Sequence, residues 1–173
     1  CLDSTRLDLF GPKAIYHITS SKDKKNILCY RIIRGFSDDQ VYFNAILIDE
    51  KGKLSGNTLF YIPFNPEMET TGTPYLTNKG EFFLAVHDKA TNFKLGSKLR
   101  LYQSELKNNI PTITEIYFKE NKPIEFMMDW WEEKNMLAIG GLYYNFYSKS
   151  IEGAYSAYIT PGIQKADSLF YNR

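Results

Sequence analysis

One block of this sequence recurs at a fixed spacing, and that recurrence narrows the available folds more than any other feature. Leu84-Ala85-Val86 and Asn92-Phe93 return as Leu137-Ala138-Ile139 and Asn145-Phe146. The offset is 137 − 84 = 53, and it holds without a gap. The same shift relates Ser97 to Ser150 and Tyr102 to Tyr155. Doubled to 106, it relates Ile33 to Ile139 and Gly35 to Gly141, and sets Phe36 opposite Leu142. Three copies of one strand–turn–strand unit fit the chain, approximately 14–67, 68–120 and 121–173, after an N-terminal stretch 1–13. A period of about 50 residues with several strands per unit marks propeller blades or a related β array. In such arrays one sheet buries its faces only against its neighbours.

The strands themselves are short. Turn signals such as Gly11-Pro12, Lys51-Gly52-Lys53, Gly72-Thr73-Pro74, Asn78-Lys79-Gly80 and Pro161-Gly162 separate apolar or alternating runs. The runs predict strands at Ala14–Ile18, Ile27–Arg34, Val41–Asp49, Thr58–Phe64, Glu81–Asp88, Lys98–Ser104, Thr112–Phe118, Met136–Tyr144 and Ala154–Thr160. Thirteen Tyr and twelve Phe add to the β preference. Ile124–Lys134 is the best helix candidate, although Trp130-Trp131 suit a strand and turn equally. The expected class is all-β: three antiparallel blade-like sheets of a partial β-propeller, with a single β-barrel or sandwich as the alternative. The repeat places Leu84, Leu137 and Arg31 at equivalent positions and predicts burial of Val86, Ile139 and Ile33. Phe93 and Phe146 are expected at matching turns. Propellers close with roughly four to eight blades, so three units leave a face needing a partner or further chain.

Charge excludes some functions. The net charge is +1, and Lys22–Lys25 is the one short basic cluster, read as a solvated turn. No basic stripe suits a nucleic acid. No apolar run reaches the roughly 18 residues of a spanning helix.

Catalytic patterns are equally sparse. His17 and His87 are the only histidines, and no Ser lies in a nucleophile elbow. Each His is expected as a strand residue with a satisfied ring. Cys29 sits in an apolar run and reads as a small buried hydrophobe. Cys/His spacing for zinc, an EF-hand loop and a phosphate-binding glycine loop are all missing. Gly140-Gly141 reads as a site of close backbone packing. Asp129, Glu132 and Glu133 beside Trp130 and Trp131 form the one acid–aromatic cluster, suited to sugar stacking more than to catalysis. No enzyme activity, metal or cofactor is expected. Trp130, Trp131, Tyr143, Tyr144 and Tyr147 are the candidate ligand or partner surface, because tyrosine buries area at low entropy cost.

Two resemblances supply a setting. Cys1 followed by Leu2-Asp3-Ser4-Thr5-Arg6 resembles a mature bacterial lipoprotein, whose N-terminal thiol is acylated after a signal peptide is removed. A disulfide from Cys1 to Cys29 is the competing use of that thiol. The stretch Asn135–Tyr144, followed by Gly153-Ala154-Tyr155 and Ile159, is similar to blade segments of propeller-like envelope lipoproteins of the Bacteroidota. With Lys98–Tyr102 the likeness covers residues 75–160. It implies a lipid-anchored scaffold or binding subunit of an outer-membrane protein assembly, with a glycan-binding surface lipoprotein as the alternative. Asp3-Ser4-Thr5 and Asp167-Ser168-Leu169 resemble the O-glycosylation pattern of that phylum, making Ser4 and Ser168 candidate sites. A surface-export signal of that phylum places several acids after the cysteine. Only Asp3 is present, so the surface and periplasmic leaflets both stay open.

Overall fold

A computed structural model describes residues 15–34, 40–63, 65, 69–88, 97–106, 110–118, 121–145, 147–160 and 167–172. Among them the chain is all β apart from one 3-10 turn. Sheet A is a four-stranded antiparallel meander of β1 (His17–Ser20), β2 (Asn26–Arg34), β3 (Gln40–Asp49) and β4 (Leu54–Pro63). Sheet B runs β5 (Glu69–Thr71), β7 (Phe82–Asp88), β8 (Ser97–Ser104) and β9 (Thr112–Phe118), with β6 (Tyr75–Leu76) also pairing β7. Sheet C is a second four-stranded meander: β10 (Asn121–Trp131), β11 (Met136–Asn145), β12 (Ser150–Ile159) and β13 (Asp167–Asn172). None of the three sheets closes on itself, which sets the single-barrel alternative aside.

The hairpins form where side chains can replace missing ladder bonds. Between β3 and β4, Asp49 Oδ1 accepts the amides of Lys51 and Lys53 at 2.9 and 2.8 Å. Gly52 takes φ +73°, a left-handed value that glycine adopts without a Cβ clash. Between β1 and β2, the Ser21 hydroxyl donates to Asp23 at 2.6 Å and accepts the Asn26 amide at 3.0 Å. Lys22, Lys24 and Lys25 are exposed on that turn, as their run of charge suggested. Asn145 Oδ1 accepts the Tyr147 amide at 2.8 Å and so shapes the β11–β12 connection.

The chain divides into two compact units. One comprises Cys1–Phe64, Leu76–Phe82 and Ser104–Pro111; the other comprises Asn65–Tyr75, Phe83–Gln103 and Thr112–Arg173. In the first, β3 alternates with period two: Val41, Phe43, Ala45 and Leu47 are buried, and the residues between them are not. Phe43 meets Tyr30, Phe60 and Phe82 with ring centroids 5.6, 5.4 and 5.1 Å apart. In the second unit, sheets B and C share a core. Phe83, Ala85, Leu99, Leu101, Ile116 and Phe118 come from sheet B; Trp130, Leu137, Ile139, Tyr143, Tyr155, Ala157 and Ile159 come from sheet C. Phe118 meets Tyr155 edge to face at 5.0 Å, and Phe83 stacks on Trp130 at 5.6 Å. Tyr155 is buried deeply enough that desolvation pushes its phenol well above the ordinary range.

Of the two readings of Ile124–Lys134 the strand and turn holds and the helix does not: it forms most of β10, followed by a 3-10 turn over Glu132–Lys134 that ends on Asn135 at φ 50°. One expectation needs correction: Ile33 is half-buried, whereas Val86 and Ile139 are buried. The spacing of the units explains this miss. Third strands begin at 40, 97 and 150, so the step is 97 − 40 = 57 and then 150 − 97 = 53. The 53-residue register is kept between sheets B and C and slips between sheets A and B. Phe93 and Phe146 lie outside the described residues.

Candidate functional site

Pairing registers assign every described side chain of β10, β11 and β12 to one of two faces. Met128 pairs with Ile139, and Ile139 with Ala157; Trp130 pairs with Leu137, and Leu137 with Ile159. These rows point into the core shared with sheet B. The alternate rows point the other way: Met127–Gly140–Ser156, Asp129–Ala138–Tyr158, Trp131–Met136 and Tyr144–Ile151. That second face is mixed, with exposed apolar side chains set among Asp129 and Ser156. Met127 is 80% exposed and Trp131 40%, and Leu142 and Ile151 are exposed further along the same face. Met136, Ala138, Tyr144 and Tyr158 are half-buried on it. Exposed apolar side chains grouped on one sheet face make it the candidate surface among the described residues.

The five aromatics named from the sequence divide between these faces. Trp131 and Tyr144 lie on the open face, and Tyr147 is exposed on the β11–β12 turn. Trp130 is 4% exposed and Tyr143 is fully buried, so neither belongs to a surface. The reason is the strand period: Trp130 and Trp131 are neighbours in β10 and must point oppositely. A helix would have set them about 100° apart on one side. Met127, Leu142 and Ile151 carry no residue-type signal of their own, since single apolar residues are as common inside strands as on their surface. The alternation of β10 from Phe126 to Trp131 was the signal that carried Met127.

The acids near Trp131 do different work from one another. Asp129 Oδ1 accepts the Trp130 amide at 2.9 Å and the Tyr75 hydroxyl at 3.2 Å. Burial, the largest cause, and the nearby Asp129 charge raise the Tyr75 phenol above its ordinary value. Glu132 and Glu133 are exposed on the 3-10 turn. The Lys134 ammonium lies 4.0 Å from the Trp131 ring centroid, a cation–π contact that occupies one ring face.

Sheet B carries a second polar arrangement that no motif announced. Lys98 Nζ donates to Glu115 Oε1 at 2.7 Å, and the Tyr117 hydroxyl donates to Glu115 Oε2. Arg100 pairs with Glu69, whose other oxygen accepts the Asn65 amide at 2.8 Å. Lys98, Arg100 and Glu115 sit on neighbouring rows of the β8–β9 ladder, where opposite charges face one another.

The remaining candidates fall elsewhere. Cys1 and Ser4 lie outside the described residues. Ser168 lies within β13, paired with Ala157, inside the ladder rather than in a loop. Cys29 is a free, buried thiol, and burial pushes its pKa up. His17 stacks on Tyr30 at 5.3 Å and His87 meets Phe126 edge to face at 4.9 Å. Among the described residues no group of His, Cys, Asp or Glu is arranged to hold a metal ion, and no helix is long and apolar enough to cross a membrane. Comparison with protein-family models, with characterised proteins and with solved structures returned no match.

Proposed function

We propose that this chain is a non-catalytic β scaffold or binding module whose working surface is the open face of sheet C. The observation that carries the reading is the exposure of Met127, Trp131, Leu142 and Ile151 on one face of a sheet whose other face is fully packed. Exposing that much apolar area costs roughly 25 cal/mol per Å² against covering it. A face kept open at that cost is best explained by an occupant. The Asp129 carboxylate is engaged by Tyr75 and Trp130, so it serves to hold the end of β10. The propeller-like arrangement of the three sheets belongs to this proposal and is supported by the shared strand order and the recurring 53-residue register. So does anchoring through a lipid on Cys1 as a subunit of an outer-membrane assembly, which the N-terminal sequence supports. The glycan alternative needs an open Trp131 ring, and Lys134 covers one side of it.

Carbene footprinting of native membranes tests the reading. Met127, Trp131, Leu142 and Ile151 should be protected in the native assembly and labelled in the isolated protein. Equal labelling of these residues in both states overturns it. In the same preparation, an unmodified Cys1 thiol on the N-terminal peptide overturns the lipid anchor alone.

A further inference from the structure

Sheet A also has a side that turns away from its own core. Buried Leu28, Tyr30, Phe43 and Leu47 mark the core side, and strand pairing sets the residues between them on the other. Nearest the β1–β2 and β3–β4 turns, Ser20, Ile27, Ile48 and Leu54 form one row of that outer side. Leu54 joins the row because the ladder shifts register between Leu47 and Ile48. Ile18, Cys29, Ile46 and Asn57 form the next row. Ile18 is 71% exposed, Leu54 42% and Ile27 37%. These aliphatic chains belong to one sheet, so the patch is defined without reference to the rest of the molecule.

The two turns beside these rows are rich in lysine. Asn26 pairs with Asp49, which sets the β1–β2 and β3–β4 turns side by side. Lys22, Lys24, Lys25, Lys51 and Lys53 are exposed there, against Asp23, Asp49 and Glu50. Two of the three acids are drawn in to the turn backbone. Asp23 Oδ1 accepts the Ser21 hydroxyl at 2.6 Å and the Lys25 amide at 3.1 Å. Asp49 Oδ1 accepts the amides of Lys51 and Lys53. Each lysine instead carries its charge at the end of a flexible four-carbon stem. The Asn78 side chain accepts the Asp23 amide at 3.1 Å and joins the β6–β7 turn to this end, where Lys79 and Glu81 cancel in charge. The result is an aliphatic patch with a positive rim.

We propose that this end of sheet A rests on an anionic lipid bilayer, with Ile18, Ile27 and Leu54 at the interface and the lysines of the two turns against the headgroup phosphates. Peripheral binding of this kind grows with the apolar area buried plus the attraction to anionic lipid. Composition favours a bilayer over a protein partner. Protein interfaces are depleted in lysine and take most of their binding energy from Trp, Tyr and Arg. None of those three residue types occurs in the two rows or the two turns. Each lysine held near an anionic surface strengthens binding about fivefold. Salt should weaken the contact, because screening shortens the reach of a charge to about 3 Å at 1 M.

The contact is independent of the sheet C surface and of any lipid on Cys1, so the unacylated 173-residue chain tests it. Wild type should cosediment with vesicles of phosphatidylcholine mixed with phosphatidylglycerol, and stay in solution with phosphatidylcholine alone. Lys25→Gln/Lys51→Gln should bind the mixed vesicles roughly 25-fold more weakly, at about fivefold per lysine. Ile18→Ser/Leu54→Ser should bind them on the order of tenfold more weakly. Met127→Ser/Ile151→Ser, on sheet C, should bind as wild type does. All three variants should keep the wild-type β circular dichroism; if the serine pair on sheet A does not, Ile18→Thr/Leu54→Thr replaces it, since threonine suits a strand. A wild type that ignores the mixed vesicles overturns the proposal. So does undiminished binding by the sheet A serine or threonine pair, which shows adsorption through charge alone. Lost binding by the sheet C pair also overturns it, because the lipid contact then lies on that face.

Discussion

At the scale of single residues, Glu115 shows how local partners set a pH response. The Lys98 ammonium and then the Tyr117 hydroxyl hold its carboxyl below the ordinary value of 4.5. A depressed folded-state pKa stabilises the fold at pH above the ordinary value. That contribution is lost as pH falls through the lowered value, because the unfolded chain takes up the proton first. The pair is about one-third exposed, so solvent screening limits it to less than about 1 kcal/mol. Glu115→Gln should therefore be less stable than wild type at neutral pH, and the gap should shrink on acidification below 4.5. Urea midpoints across pH measure it; a gap that widens on acidification contradicts the arrangement. Nothing in the sequence revealed this pair, because Lys98 and Glu115 meet only once β8 and β9 are in register.

At the scale of the element, β10 is where sequence and structure part company. The strands Thr112–Phe118 and Val41–Asp49 were legible as short runs rich in β-branched and aromatic residues. In β10 the contrast between faces is blurred: Phe126, Met128 and Trp130 enter the core, while Met127 and Trp131 share the other face with Asp129. With apolar residues on both sides of the acid, period two is hard to tell from a helical apolar run. β5 and β6 escaped because strands of three and two residues carry no period at all. The same reasoning explains why the candidate surface was only half correct: Trp131, Tyr144 and Tyr147 were reached by residue type, and Trp130 and Tyr143 by the same criterion wrongly. The two methionines of β10 separate the faces experimentally. Met128→Asp sets an unpaired carboxylate against the apolar core from a half-buried position and should cost about 1–3 kcal/mol. Met127→Asp, on the open face, should change the stability of the isolated protein by no more than about 0.5 kcal/mol. Chemical unfolding at low protein concentration compares them, and similar losses in both would refute the face assignment.

At the scale of the whole molecule, the all-β class and the antiparallel pairing were readable from turn spacing, and the recurrence of the second and third units from residue identity. The slip of the first unit out of the 53-residue register was not, since it depends on the lengths of connections rather than on any conserved pattern of apolar residues within strands. The adjacent tryptophans of β10 also give the protein two built-in optical reporters with separate duties. Trp130, stacked on Phe83 in the core, should emit blue-shifted light and resist acrylamide until the sheets come apart. Trp131, half open under Lys134, should emit to the red and be quenched freely until its face is occupied. With Trp131→Phe the fluorescence follows unfolding alone; with Trp130→Phe it follows docking, so one strand lets the same cuvette distinguish a protein that is folded from one that has found its partner.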